Sequence, residues 1–312
     1  MLFGACIVKY QNICGNGDKS MKIPLVSVVV PTFNRKNDLL RCLGSLMESS
    51  YKHIEVIVVD NGSTDGTCEA VKNFHPNVKL INLDKNTGVT GGRNAGAKIA
   101  MGDLLLFLDH DMVVDERMLE VLVNLLLEDE KIGSVGPVIY YLDDPNRVWS
   151  AGSSINMLTG KISANTEVHK KAVDVQVLPA VILARKELLE KLGFYDNVFF
   201  AVYEDTDICF RIKKAGYKVI CTSKAIAWHN VPLDPALQEV HVLSRSYYIA
   251  RNKILFMKKH AAKLNSVFFL MFFMPIFAAY YSWRSLRIGK LAFLENYWRG
   301  VFDGLKTNFS AV

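Results

Sequence analysis

Two short acidic groups in this sequence have the residue types and spacing for chemistry. One is Asp109-His110-Asp111, at the tip of the run "LLLFLDHDMVVD". The other is Glu204-Asp205, in "YEDTDICFRIKKAGY". Two carboxylates two residues apart repel each other when both are ionised, so something must hold them. A hard divalent cation takes oxygen ligands and would relieve that repulsion while gripping phosphate oxygens. A solvated polar turn is the alternative reading of an isolated pair. The second group suits a general base, because a carboxylate in hydrogen-bond reach of a hydroxyl can take its proton. It also suits the first turn of a helix, where the macrodipole favours acidic side chains. These two uses are compatible.

The elements that must position these groups follow an alternating pattern. "LVSVVVP" at 25–31, "IEVIVVD" at 54–60, "VKLINL" at 78–83 and "DLLLFLD" at 103–109 read as buried strands. Between them, "KNDLLRCLGSLMES", "CEAVKNF" and a segment opened by "GGRNAGAKIA" read as helices. Such alternation predicts right-handed crossovers and a parallel sheet. Ligands bind such sheets outside the carboxyl ends of the strands. Thr32 and Asn34 follow the first strand, Asp60 ends the second, and Asp109 and Asp111 follow the fourth. After Val135 the segments shorten. Strands are expected near Val148 and over 175–184, a helix over 204–215, and a short strand at "YKVI". This half reads as antiparallel and continuous with the first sheet.

The chain has 312 residues, 50% hydrophobic and 22% charged, enough for one large α/β domain and an appendage. Its net charge of +6 is local. Nine Lys or Arg and no acidic residue lie between 245 and 290, against 28 basic and 31 acidic residues elsewhere. Within that region "LNSVFFLMFFMPIFAAYYSW" is twenty residues without a charge, flanked by Lys258, Lys259, Lys263, Arg284, Arg287 and Lys290. It reads as a helix lying on an anionic membrane surface, as a span, or as a helix buried against the domain or a second copy of the chain. Pro275 marks a point where such a helix would break. The aliphatic and aromatic content argues against nucleic acid as a partner. Six cysteines without a C-x-x-C pair fit a reducing compartment. No signal peptide is read at the N-terminus, and residues 1–22 form an extension without an assigned role. Neither G-x-G-x-x-G nor a P-loop lysine motif is present, which excludes the common dinucleotide and NTP-binding classes.

In order along the chain, "PTFNR", "VDNGSTDGT", "GVTGGRNAGAKIAMGD", "FLDHD" and "YEDTDICFRIKKAGY" resemble the family 2 glycosyltransferases, covering 26–229. These are inverting enzymes that use nucleotide-diphospho-sugars. The continuation "SYYIARNKILFMKKH" looks like that of rhamnosyltransferase-like bacterial and archaeal members, which build cell-surface polysaccharide or glycolipid. The resemblance implies an α/β GT-A fold, with a mostly parallel Rossmann-like sheet, helices on both faces and a C-terminal helical basic and apolar extension. It divides the chain into a catalytic domain at 23–237, with a nucleotide-binding half at 23–135 and an acceptor-binding half at 136–237, and a helical region at 238–312.

The same resemblance assigns roles. Pro31, Thr32, Asn34 and Arg35 would lie along the nucleotide. Asp60 would accept a hydrogen bond from the N–H of uracil or thymine, as an ionised carboxylate can. Arg93 and Asn94 would sit near base and ribose, and Gly88, Gly91 and Gly92 would let backbone approach the ligand. Asp111 would bind Mn²⁺ or Mg²⁺ directly, Asp109 would meet the ribose or a metal-bound water, and His229 would complete the metal site. Asp205 would be the base, with Glu204 supporting it. His110 points away from the pair, Asp207 and Arg211 form a structural i,i+4 pair, and Asp65 is read as a helix cap or a ligand contact. The implied reaction moves a sugar from a UDP- or dTDP-sugar to a lipid-linked or polysaccharide acceptor. The implied place is the cytoplasmic face of the membrane. A polyprenyl-phosphate sugar synthase and a non-catalytic sugar-nucleotide-binding scaffold are the alternatives.

Overall fold

The computed structural model describes residues 23–307. The expected extension at 1–22, with Cys6 and Cys14, lies outside the described residues. Four strands form a parallel block, β1 (Val26–Thr32), β2 (Ile54–Asp60), β3 (Lys79–Asn82) and β4 (Leu104–Leu108). Helices α1 (Lys36–Met47), α2 (Thr67–Phe74) and α3 (Gly88–Ile99) make the crossovers. The block runs β4-β1-β2-β3, so the winding reverses between β1 and β4. In sheets of this kind such a switch point is where a crevice opens above the strand ends.

Period-two alternation divides β1 between two cores. Val26, Val28 and Val30 face α1 and α4 (Met118–Glu128), packing with Leu39, Leu43, Leu122 and Leu126. Val29 faces α3, α5 (Lys186–Leu192) and α6 (Glu204–Lys214), packing with Ala97, Leu189 and Ile208. Burial on both faces explains why these strands are unbroken apolar runs.

The second half extends the same sheet with mixed pairing. β6 (Ile132–Tyr141), β11 (Val181–Arg185) and β12 (Lys218–His229) continue it, and β11 runs antiparallel to both β4 and β6. Short strands β5 (Met112–Val114), β7 (Val148–Ser150) and β10 (Val173–Asp174) complete ten strands, while β8 (Ser153–Ile155) and β9 (Ile162–Ala164) form a separate pair. Two expectations need correction. The strand expected over 175–184 is broken, because Pro179 has no N–H to donate and Ala180 turns through a positive φ of 62°. The strand expected at "YKVI" runs on to His229, carried past a register shift at Thr222/Ile226.

Beyond the sheet lie α7 (Pro235–Ser244), α8 (Ser246–His260), α9 (Lys263–Arg287) and α10 (Leu291–Lys306). A third core joins Ile254, Phe256, Phe269 and Tyr297 of these helices to Phe199 and Tyr203 of the second half. The expected break at Pro275 does not occur. Phe269–Phe273 form a π turn just before it, and this widened turn accommodates a residue without an N–H.

Candidate functional site

The site is built where the loops after β1, β2 and β4 are laced together. The Asn34 amide N–H donates to Ser63 Oγ at 2.8 Å, and Asn34 Oδ1 accepts from the Thr64 amide at 2.7 Å. Asn34 adopts φ 51°, a conformation asparagine tolerates better than most residues. Asp65 caps in two directions, accepting from the Lys36 amide at 3.0 Å and the Thr67 amide at 3.1 Å. His110 turns to the β1 end, with Nδ1 3.1 Å from the Pro31 carbonyl. Arg35 is exposed and near Asp38. Thr32 is buried, and its hydroxyl has no protein partner.

Asp60 is fully buried. Its carboxylate accepts from the Ser63 amide at 3.0 Å, from the Ser63 hydroxyl and from Cys68 Sγ at 3.1 Å. A base N–H would therefore have to reach it past Ser63. Gly88, at φ 80°, begins α3. A Cβ there would meet the Phe200 carbonyl at 2.5 Å, and one at Gly92 would meet Pro31 and Asn61 at 2.9 Å. These two glycines thus let the chain approach itself closely. Asn94 is also committed to protein, holding the Tyr195 carbonyl at 2.8 Å, the Tyr195 amide at 3.0 Å and Asn197 at 3.0 Å.

Arg93 joins the two acidic groups. It is 0% exposed, and its guanidinium spans Asp109 at 2.7 Å and Asp205 at 2.5 Å. Tyr195 lies under it, ring centroid 4.8 Å from Cζ, with its hydroxyl 3.4 Å from Asp205. Burial works against the cation, but Asp205, Tyr195 and Asp109 hold it protonated. Ala180 makes a second bridge. Its amide donates to Asp205 Oδ2 at 3.0 Å and its carbonyl accepts from the Asp109 amide at 3.1 Å. Sequence reasoning assigned no role to Tyr195, Ala180 or Ser63. Their contacts arise from tertiary approach, and only Ser63 sat inside a recognised motif.

The two aspartates of the D-x-D group are held differently. Burial and the charges of Asp205 and Asp111 push Asp109 up, against the pull of Arg93. Burial would raise Asp111 too, but the hydrogen bond and charge of His229 hold it well below the usual carboxylate range. His229 Nε2 stands 3.3 Å from Asp111 Oδ2. Antiparallel pairing of β12 with β5 sets His229 opposite Met112, and the Trp149 ring meets the imidazole edge-on at 4.4 Å. An oxygen and a nitrogen at this spacing suit neighbouring positions on an octahedral cation, whose cis ligands stand roughly 3 Å apart. They form a two-residue set; no group of three or more metal-ligating side chains occurs among the described residues. Substrate oxygens would have to complete the sphere.

Glu204 opens α6 beside Asp205, buried, with Oε2 unpartnered. Burial first, and then the charge of Asp205, push it up to about 8. The expected Asp207–Arg211 pair is present at 2.7 Å. Burial would raise Asp207, but His260, Arg211 and Lys259 hold it at about 2.

The chain belongs to glycosyl transferase family 2, whose sequence profile matches residues 27–193. Glycosyltransferase GlyG of Streptococcus pneumoniae is 26% identical over 179 residues, 54% of this chain and 60% of that protein. O-antigen biosynthesis protein RfbC of Myxococcus xanthus is 31% identical over 226 residues, 66% of this chain and 17% of that protein. The chain thus spans less than two thirds of either relative. Mannosyltransferase PcManGT from Pyrobaculum calidifontis, solved with GDP-Man and Mn²⁺, has a TM-score of 0.57 at 21% identity, covering 99% of this chain and 85% of that one. The expected α/β GT-A fold is therefore the observed one.

Two outcomes test the site. Arg93→Ala leaves Asp109 and Asp205 without their counter-charge, and denaturant titration is expected to show a loss of about 3–5 kcal/mol. Arg93→Lys, which lacks the guanidinium fork, should lose less stability but no longer bridge both carboxylates. Glu204 is raised from the ordinary glutamate value of 4.5 to about 8, so the folded state keeps a proton that the unfolded state releases between those values. Stability should fall as pH rises through that window. In thermal unfolding, Glu204→Gln should match the parent at pH 4.5 and exceed its Tm at pH 8.5. A parallel pH dependence in both proteins would remove Glu204 as the source.

Proposed function

We propose that this chain is an inverting glycosyltransferase that moves a sugar from a nucleotide-diphospho-sugar, UDP- or dTDP-linked, to a hydroxyl of a lipid-linked or polysaccharide acceptor in cell-surface glycan synthesis. The observation that carries this reading is the Asp109–Arg93–Asp205 bridge. It brings the D-x-D group and the second acidic group onto one guanidinium, near the switch point between β1 and β4. The O-antigen role of RfbC supports the acceptor class. Residues 23–237 supply the catalytic unit in this reading, and the helices from 238 onward attach it to its acceptor.

Asp111 and His229, with Asp109 through water, would hold Mn²⁺ or Mg²⁺. When bound, that ion supplies charge stabilisation to the departing diphosphate. The chain does the rest. The loop of Pro31, Thr32, Asn34 and Arg35 lines the nucleotide side of the crevice. Asp205 Oδ2 accepts one hydrogen bond, from Ala180, and keeps a lone pair for an acceptor hydroxyl. It takes the hydroxyl proton as that oxygen bonds to the anomeric carbon. The carbon–oxygen bond to the diphosphate breaks on the opposite face, and the nucleoside diphosphate leaves with the electron pair. Glu204, protonated near neutral pH, can donate a hydrogen bond to a sugar oxygen.

Membrane attachment is the second part of the proposal. Among the described residues, α9 alone is long and apolar enough to cross a bilayer. One of its faces packs inward through Phe269, Met274 and Ala278. The other exposes Leu264, Met271, Ile276 and Trp283, and α10 adds Leu291 and Phe302. With a buried face already committed to protein, α9 is suited to lie in the interface rather than to span. Lys263 and Lys290 at its ends can meet anionic headgroups.

Calorimetric titration of UDP, dTDP and GDP with and without Mn²⁺ is expected to give metal-dependent binding of a pyrimidine nucleotide. Asp205→Asn should retain that binding and lose at least about 10²-fold in turnover, and full turnover in the variant would sink the assignment. In vesicle flotation, Ile276→Asp together with Met271→Asp should release the protein from phosphatidylglycerol-containing vesicles; equal flotation would dismiss α9 as the attachment.

A further inference from the structure

The acidic start of α6 is delivered by a contorted loop. Phe200, Val202 and Tyr203 have φ of 54°, 66° and 74°, and none is glycine. Left-handed backbone at such residues costs on the order of 1–3 kcal/mol each, and it persists only where the surroundings enforce it. Glu204 and Asp205 follow directly, so the direction in which they leave the loop depends on that enforcement.

The loop is gripped from two sides. On the nucleotide side, the Thr90 amide donates to the Phe200 carbonyl at 3.3 Å, and the missing Cβ of Gly88 leaves room for Phe200. On the other side the grip belongs to α8. Asn252 is fully buried, and its Nδ2 lies 2.5, 2.7 and 2.8 Å from the carbonyls of Phe199, Ala201 and Val202. Two N–H hydrogens thus serve three carbonyls that follow one another around the turn. The amide is itself oriented, because its Oδ1 accepts from Arg251 Nη1 at 2.9 Å, and the same nitrogen reaches the Val198 carbonyl at 2.6 Å. Tyr248 stacks on Phe200 at 5.1 Å with the rings 5° from parallel. Among the described residues, no other side chain bonds three backbone groups of the loop that carries the acidic pair.

We propose that Asn252 is a positioning residue for sugar transfer, holding the 199–203 loop in the conformation that aims Glu204 and Asp205 into the crevice. The proposal rests on the transferase reading above. It assigns the middle of α8 a task in catalysis, not only in packing. The residue never meets substrate; it acts through three carbonyls and the backbone they belong to. Misplacing a catalytic group by about 1 Å costs roughly 10²-fold in rate, because the reacting atoms leave the near-attack geometry. Nucleotide binding depends on the loops after β1, β2 and β4, which Asn252 does not touch.

The test compares Asn252→Ala with Ile254→Ala, a fully buried residue of the same helix that shares the third core with Phe199 and Tyr203 but makes no side-chain hydrogen bond to the loop. Both should lose stability. Asn252→Ala is expected to lower kcat about 100-fold with donor KM within about threefold, while Ile254→Ala stays within about threefold in both. Equal losses in the two variants would overturn the proposal, as would a change in donor KM without a change in kcat. Asn252→Ser, which keeps a single donor, replaces the alanine variant if that does not fold, with a smaller loss of the same kind. Hydrogen exchange needs no turnover and separates this failure from failure of the transferase reading. Asn252→Ala should speed exchange of the Asp207 amide, bonded to the Tyr203 carbonyl at 2.8 Å, and leave α3 unchanged. Unchanged exchange over 199–207 would reject the positioning role whatever the enzyme transfers.

Discussion

One buried guanidinium organises the crevice. Arg93 has no contact with solvent, so its charge must be answered inside the protein, and Asp109 and Asp205 answer it from opposite halves of the fold. A buried cation of this kind stands or falls with its partners, because removing either leaves charge in a poor dielectric. The surrounding structure follows from meeting that condition. α3 must enter close to β1, which the bare Cα of Gly92 permits. Ala180, the residue before β11, must turn its N–H to the Asp205 carboxylate and its carbonyl to the Asp109 amide. Tyr195 must close the underside of the guanidinium.

The parallel half was legible because its signals are local. A strand buried on both faces has to be a run of apolar residues, and "VSVVVPT" and "IEVIVVD" can hardly be anything else. The second half was less legible because its strands are defined by partners. Residues 221–229 look like nothing in particular by themselves, yet they form the far end of β12 by pairing with β6 and β5. That pairing is what carries His229 to Asp111. Pro179 did carry a readable signal, and the long strand expected across it gave that signal too little weight.

Within the site, residue types pointed to the carboxylates and the family resemblance to Arg93, whereas the arrangement among them came only from tertiary contact. The two aspartates, two residues apart, meet different partners in the protein: Asp109 leans on Arg93, and Asp111 stands beside His229. Gly88 serves a contact that the sequence does not announce. Its missing side chain makes space for Phe200. Asn252 was invisible in a stretch dominated by lysines and aromatics, because one amide surrounded by them gives no periodic or compositional signal.

The contact between Gly88 and Phe200 limits how freely the fold can be recombined. The start of α3 and the loop that leads into α6 share a wall with no slack in it. Grafting the second half of the sheet from one relative onto the first half of another would bring together surfaces that were shaped separately. A working hybrid would have to transplant Gly88 with Phe200, and Arg93 with Asp205, as matched sets. The seam between the two halves therefore does not coincide with any single cut in the chain.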